Sequence, residues 1–293
     1  MTTAPTPEMI PVRDGTRLAV RLWSRPAAGG RTLVLVHGLA SNSRLWDGAA
    51  RQLASFGHGV AAVDLRGHGL SEATDHGYAT ADIAHDVVDV IEHLAHADRT
   101  FARPVVAGQS WGGNVAVEVA AAHAGHVSGI VCVDGGTIEL ARAFPDWDAC
   151  ATSLAPPDLE GARADRLRAI IASSHPDWSN EALEGTMHNM IVRDDGTIAP
   201  RLARHRHMTI LRHLWEHSPS MLWSDIDVPV LFTPAVHPDR QGPVKREQVE
   251  HALSLLRRGA VEWFEGADHD LHAQHPERFA AVVHHHLTKG VLS

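Results

Sequence analysis

Val105-Val106-Ala107-Gly108-Gln109-Ser110-Trp111-Gly112-Gly113 constrains this 293-residue chain more than any other stretch. A β-branched run ends in Gly-x-Ser-x-Gly, and an Ala/Val-rich helical pattern begins at Asn114. That order describes a strand turning into a helix so sharply that the central residue is pushed into the open. A side chain at Gly108 or Gly112 would collide where strand and helix cross. The positive end of the helix then lies beside the Ser110 hydroxyl, where an oxyanion can be held.

The same strand-then-helix rhythm runs through the neighbouring sequence. Thr32-Leu33-Val34-Leu35-Val36, Val60-Ala61-Ala62-Val63 and Gly129-Ile130-Val131-Cys132-Val133 are nearly continuous apolar runs, as strands buried on both faces require. Between them lie amphipathic patterns, one of which sets Ile83, Val87, Val90, Ile91 and Leu94 on one helical face. Repeated alternation predicts an α/β fold with a mostly parallel, doubly wound sheet. An alternating stretch at Leu18, Val20 and Leu22, preceded by Asp14-Gly15, predicts a hairpin before it.

The rhythm breaks over residues 137–224. Helical patterns over residues 163–172, 180–191 and 202–215, punctuated by Pro156-Pro157 and Asp194-Asp195-Gly196, predict an inserted helical cap without a strong strand. The core is therefore expected in residues 1–136 and 225–293. It resumes with a strand at residues 228–232, then a helix bearing Val249, Ala252, Leu253 and Leu256. A short strand at 261–264 and a last helix from Pro276 complete it.

Composition narrows the partners. A formal charge of −9 with no Lys/Arg cluster argues against nucleic acid. Residues 1–11 lack an apolar signal core, and no run is long enough to span a bilayer, so the expectation is a cytoplasmic protein with no membrane partner. The two cysteines, Cys132 and Cys150, are expected as free thiols. Among 23 histidines, His213 and His217 have chelating spacing, but no third ligand is evident and no metal is expected.

Four landmarks occur in order: His37-Gly38; Asp64-x-Arg66-Gly67-x-Gly69-x-Ser71; Gly108-x-Ser110-x-Gly112; and His269 in Gly266-Ala267-Asp268-His269, seven residues before Pro276. Together they resemble the α/β-hydrolase family over nearly the whole chain outside the cap. The resemblance implies Ser110 as nucleophile and His269 as its base, with His272 and His275 fitting the spacing less well. It also implies an oxyanion hole from the backbone N–H groups of Leu39 and Trp111, and no metal or organic cofactor. A serine hydroxyl needs a base to take its proton, the imidazole needs a carboxylate to fix its tautomer, and the tetrahedral intermediate needs two N–H donors.

Two acids remain open. Asp239, in the loop after the seventh strand, stands where most of the family carries it but lacks the usual glycine before it. Asp134, after the sixth strand, is favoured because the strand fixes its position. Asp268 and Asp270, flanking the histidine, are set aside. Asp64, Arg66 and His68 are expected in a structural turn, the Arg and Asp in ion pairs beneath the site.

Some members of the family that the chain resembles use an aspartate nucleophile; with Ser110 in that place the resemblance implies acyl transfer to water: hydrolysis of an ester, lactone, thioester or, less often, amide. Trp147, Trp178, Trp215 and Trp223 in or beside the cap, with Trp46 nearby, suit a small apolar or aromatic acyl substrate better than a phosphate-bearing one. Two alternatives share the scaffold. One is a non-hydrolytic enzyme (cofactor-free oxygenase, perhydrolase or lyase), and the other is a slow hydrolase-like receptor. The sequence leaves the oligomeric state open.

Overall fold

The computed structural model describes residues 5–236 and 242–293. Strand β1 (Glu8–Pro11) pairs antiparallel with β2 (Arg17–Ser24), and the chain reverses through Gly15 at φ +86°. Strands β3 (Thr32–Val36), β4 (Gly59–Val63), β5 (Val105–Gln109) and β6 (Gly129–Val133) are buried at every residue. Helices α1 (Asp47–Ser55), α2 (Thr80–Ala97) and α3 (Trp111–Ala122) supply the crossovers. Helix α3 starts three residues earlier than its apolar pattern: the turn at Ser110 leaves no linker, so the two glycines form the first helical turn.

After β6 come α4 (Leu140–Ala143), α5 (Trp147–Leu154), α6 (Ala164–Ser174) and α7 (Asn180–Met187), then α8 (Arg204–Glu216). Between α7 and α8 the expectation of helix through residue 191 fails. Strands β7 (Met190–Val192) and β8 (Ile198–Pro200) form an antiparallel hairpin there. The β-branched Ile191 and Val192 favour an extended chain, and Gly196 at φ +78° closes the reversal after Asp194-Asp195.

The remaining elements are β9 (Val230–Thr233), β10 (Ala235–Val236), α9 (Gly242–Leu255), β11 (Gly259–Val261), β12 (Phe264–Glu265), α10 (Leu271–Gln274) and α11 (Pro276–Thr288). The strand expected at residues 261–264 divides in two. β11 joins the main sheet beside β9, and β12 pairs parallel with β10 in a separate two-stranded sheet.

The main sheet runs β1-β2-β4-β3-β5-β6-β9-β11, with every pair from β4 onward parallel. Side chains alternate between its faces. Val34, Val36 and Val106 pack with apolar residues of α2 and α3, whereas Leu33, Leu35 and Val105 pack with those of α1 and α11. Each fully buried Val or Leu contributes about 1.5–3 kcal/mol relative to exposure. The chain leaves β3 toward β4 on one side, and later passes from β5 to β6 on the other. The crevice between the carboxyl ends of β3 and β5 is therefore the switch point, where open α/β sheets bind ligands. No helix of the described residues is long and apolar enough to cross a membrane.

Candidate active site

Ser110 stands at that crevice. Its backbone has φ +54° and ψ −122°, a strained conformation for a residue with a side chain, held because both flanks are fixed. Ser110 N donates to Val133 O at 2.9 Å, and Gly113 N donates to Ser110 O at 2.9 Å. A Cβ at Gly108 would overlap the Gly112 carbonyl, and one at Gly112 would come within 2.6 Å of His37 O and Val36 O. The turn is tight enough that only glycine fits either position.

Gly135 is as tightly placed, because a Cβ there would overlap Ser110 O. Both partners are backbone, and neither can swing aside. Gly135→Ala is expected to destabilise the fold by about 3 kcal/mol, which at this size lowers Tm by at least about 5 °C. Thermal denaturation measures it, and an unchanged Tm would show that the β6 end can shift freely.

β6 ends in Asp134, whose own φ is +43° and whose N–H donates to Thr233 O at 3.1 Å. His269 lies in the loop between β12 and α10, and its Nδ1 donates to Asp134 Oδ2 at 2.6 Å. This leaves Nε2 as the basic nitrogen. The other carboxylate oxygen, Oδ1, accepts from Ala235 N at 2.9 Å and Lys245 Nζ at 2.7 Å, and Lys245 also donates to Ala235 O at 2.8 Å. His269 exposes 53% of its side chain to the cleft, whereas Asp134 exposes 4%.

Burial works to raise the Asp134 pKa. The hydrogen bond and charge of His269, with Lys245, outweigh it and hold the carboxyl below its ordinary range. For His269 burial works downward. Its hydrogen bond to Asp134 and the charges of Asp270 and Asp134 prevail over burial and the opposing charge of Lys245, so the net shift is upward.

The loop after β3 forms the opposite wall. A Cβ on Gly38 would stand 2.5 Å from Gln109 Oε1 and 2.9 Å from Ser110 Cβ. His37 is fully buried; Leu65 N donates to its Nε2 at 2.9 Å, so Nδ1 carries the proton and donates to Gly38 O at 2.7 Å. His68 works in the same sense one layer out. It accepts from Ala40 N at 3.2 Å through Nε2 and donates to Arg66 O at 2.9 Å through Nδ1. Burial pushes His37 down to about 4 and His68 to about 3, so both are neutral struts of the loop. Ala40 is held at φ +59°. Among the described residues, the N–H groups of Leu39 and Trp111 have no intramolecular acceptor.

Other expected residues fall elsewhere. Arg66 pairs with Asp86 at 2.8 Å and Asp14 at 2.6 Å, not with Asp64. Asp64 instead accepts backbone N–H groups of Ser43 at 2.6 Å and Leu70 at 2.9 Å, because its buried position faces two turns. His272 is buried with its ring 4.0 Å from that of Trp46, and neither ring nitrogen has a partner. Asp268 receives His175 Nδ1 at 3.1 Å. Asp239 lies outside the described residues.

His217 links α8 to α3, 3.1 Å from Glu118 and 3.2 Å from Asn114, while His213 turns toward Glu216. Cys132 and Cys150 are free and buried. Among the described residues no group of three or more His, Cys, Asp or Glu could hold a metal ion.

Two cavities border the site. One of about 390 Å³ reaches from His269 and Asp134 past Leu140, Phe144, Leu154 and Phe232. The other, about 110 Å³, lies beside Ala40, Ser41 and His68. None of the tryptophans of residues 137–224 lines either one; Trp223 is buried, with Nε1 donating to Gly136 O at 3.3 Å, and Trp147 packs against Trp215. Sequence reasoning missed Lys245. Its signal was rarity, since only two of the 26 Lys and Arg side chains are lysines, Lys245 and Lys289.

The sequence profile of the Alpha/beta hydrolase family matches residues 33–282. A 2-(acetamidomethylene)succinate hydrolase of Mesorhizobium japonicum is 31% identical over 115 residues, 39% of this chain and 39% of that protein. A non-heme chloroperoxidase of Streptomyces lividans is 24% identical over 275 residues, 90% of this chain and 93% of that one. The chain spans about half the length, or less, of the curated relatives it matches at 30–33% identity. Among solved structures, E-2-(acetamidomethylene)succinate hydrolase superposes with a TM-score of 0.75 at 21% identity, covering 94% of this chain and 97% of that one.

Proposed function

The chain belongs to the α/β-hydrolase family, and from that premise we propose that it is a serine hydrolase acting on a small acyl compound through an acyl-enzyme on Ser110. The observation that carries the reading is the 2.6 Å hydrogen bond from His269 to Asp134, set beside an elbow whose Ser110 N is bonded to the residue preceding Asp134.

Ser110 Oγ attacks the acyl carbon while His269 Nε2 takes the hydroxyl proton. Asp134 stabilises the imidazolium and keeps the proton of Nδ1 in place. The oxyanion accepts from Leu39 N and Trp111 N, each such donor contributing about 3 kcal/mol of transition-state stabilisation. The alcohol or amine leaves with the proton from His269. Water then attacks the acyl group, gives its proton to the same nitrogen, and the carboxylic acid departs as Ser110 recovers its hydrogen. Residues 137–224 act as a cap over the core, and the larger cavity receives the apolar part of the substrate.

A fluorophosphonate probe tests this directly. One label per chain is expected on wild type, none on Ser110→Ala, and a rate at least about a thousand-fold lower on His269→Ala. Folded wild-type protein that resists labelling would overturn the reading. The likeness to a chloroperoxidase favours one second reading, hydrogen peroxide replacing water in the deacylation step to release a peracid. It predicts the same labelling, with peracid formed when peroxide is supplied.

A further inference from the structure

The smaller cavity is distinguished by what its walls offer. Arg201, at the end of β8, is the only charged side chain lining it among the described residues. The Arg201 Nε donates to His188 O at 2.9 Å, and its terminal nitrogens have no acceptor among the described residues. Asn189 turns its Oδ1 to Asn42 Nδ2 at 2.6 Å, which leaves its own NH₂ as an unused donor. The hydroxyl of Ser41 is buried without a partner.

Both nitrogens of His68 are already committed to backbone groups. Two donor groups on residues that line the cavity, the Arg201 terminal nitrogens and the Asn189 NH₂, are therefore left without acceptors, while the Ser41 hydroxyl is fully enclosed in its wall. Donors without acceptors in a shielded cavity are complemented by an anion.

Position ties this cavity to the chemistry. Ala40 directly follows Leu39, and the His68 ring lies 5.9 Å from that of Trp111, the residue after Ser110. At about 110 Å³, with Pro156, Leu159, Met190 and Pro200 among the apolar side chains of its wall and His207 also lining it, it has room for a short carbon chain ending in a compact anion. The planar guanidinium fork matches a carboxylate.

We propose that this cavity binds a free carboxylate on the substrate, so that the enzyme prefers half-esters or half-amides of short dicarboxylic acids to uncharged acyl compounds. The substrate preference rests on the hydrolase reading, and the anion site does not. It also revises the apolar or aromatic acyl substrate expected from the tryptophans, which line neither cavity.

The test compares 4-nitrophenyl hemiglutarate with 4-nitrophenyl 5-methylhexanoate, in which an isopropyl group replaces the carboxylate. Wild type should prefer the hemiglutarate, and Arg201→Met should lower the ratio of the two kcat/KM values between about ten- and a hundred-fold. Asn189→Ala should move the ratio the same way by less, which guards against a folding defect peculiar to Arg201→Met. An equal ratio in wild type and Arg201→Met would overturn the preference.

Calorimetry with glutarate provides an arm that needs no turnover. Wild type should bind it, and Arg201→Met should bind at least about ten-fold more weakly. If neither ester is cleaved and the fluorophosphonate does not label, the hydrolase reading falls, while glutarate binding still decides the anion site. Absence of glutarate binding to wild type would refute that site.

Discussion

Asp134→Asn is expected to lower kcat for ester hydrolysis by about four orders of magnitude while leaving the fold intact. The reason lies in the neighbours of Asp134. Ala235 N and Lys245 Nζ both donate to Oδ1, at 2.9 and 2.7 Å, so the oxygen of an amide placed here stays on their side. The NH₂ then faces His269 Nδ1, now 2.6 Å from Oδ2, and a donor in that place forces Nδ1 to accept. The imidazole proton moves to Nε2, the nitrogen that must take the proton of Ser110. Steady-state kinetics with circular dichroism as the folding control measures this. Activity above a tenth of wild type would remove Asp134 from the acid's role and return attention to Asp239.

A second large effect is loss of the folded state in mild acid. Burial is the principal cause in four histidines whose side chains are almost wholly enclosed: His37 and His58 are pushed down to about 4, and His68 and His272 to about 3. Their unfolded value is 6.5. A histidine depressed by folding contributes stability that is fully present above pH 6.5 and is lost as pH falls toward its folded value.

Near pH 5 these four rings together bind almost four more protons in the unfolded chain than in the folded one. Their contribution to stability then falls by roughly 5 kcal/mol per pH unit, about 4 after the opposing effect of one buried carboxyl, against a typical total of about 5–15 kcal/mol. Asp47 opposes this, since burial raises it to about 6 and the penalty it places on the folded state is relieved as pH falls from 6 to 3.8, but it is one group against four. Urea unfolding at pH 7.5 and 5 should show most of the stability gone at the lower pH. Equal midpoints would mean that these rings gain protons without unfolding.

The two residues of the elbow and its strand were legible because their signals are local. Gly108 and Gly112 flank Ser110 in sequence as they do in space, and the buried runs of β3 to β6 need no distant partner to be recognised. The pairing of His269 with Asp134 spans 135 residues, and chain order supported it without fixing it. Lys245 was not legible, since its position depends on where α9 begins relative to β6.

Within residues 137–224 the hairpin of β7 and β8 is masked by a helical pattern that runs on through Ile191, although Val192 and Ile198 flank a turn with a glycine. Arg201 and Asn189 carry no motif. Their interest comes only from lacking partners in a folded cavity, a property that no spacing in the sequence encodes.

The constellation is also a statement about assembly order. Ser110 and Asp134 sit on adjacent strands, joined by pairings of modest sequence separation, whereas Lys245 and His269 return from 111 and 135 residues beyond Asp134. Contacts that close such long loops form late in folding, after the central strands have paired. On the proposed hydrolase reading, His269 and Lys245 are therefore expected to reach Asp134 as the final increments of a refolding chain. Recovery of secondary structure is then expected to precede recovery of activity, with the interval between them set by the docking of the last quarter of the sequence.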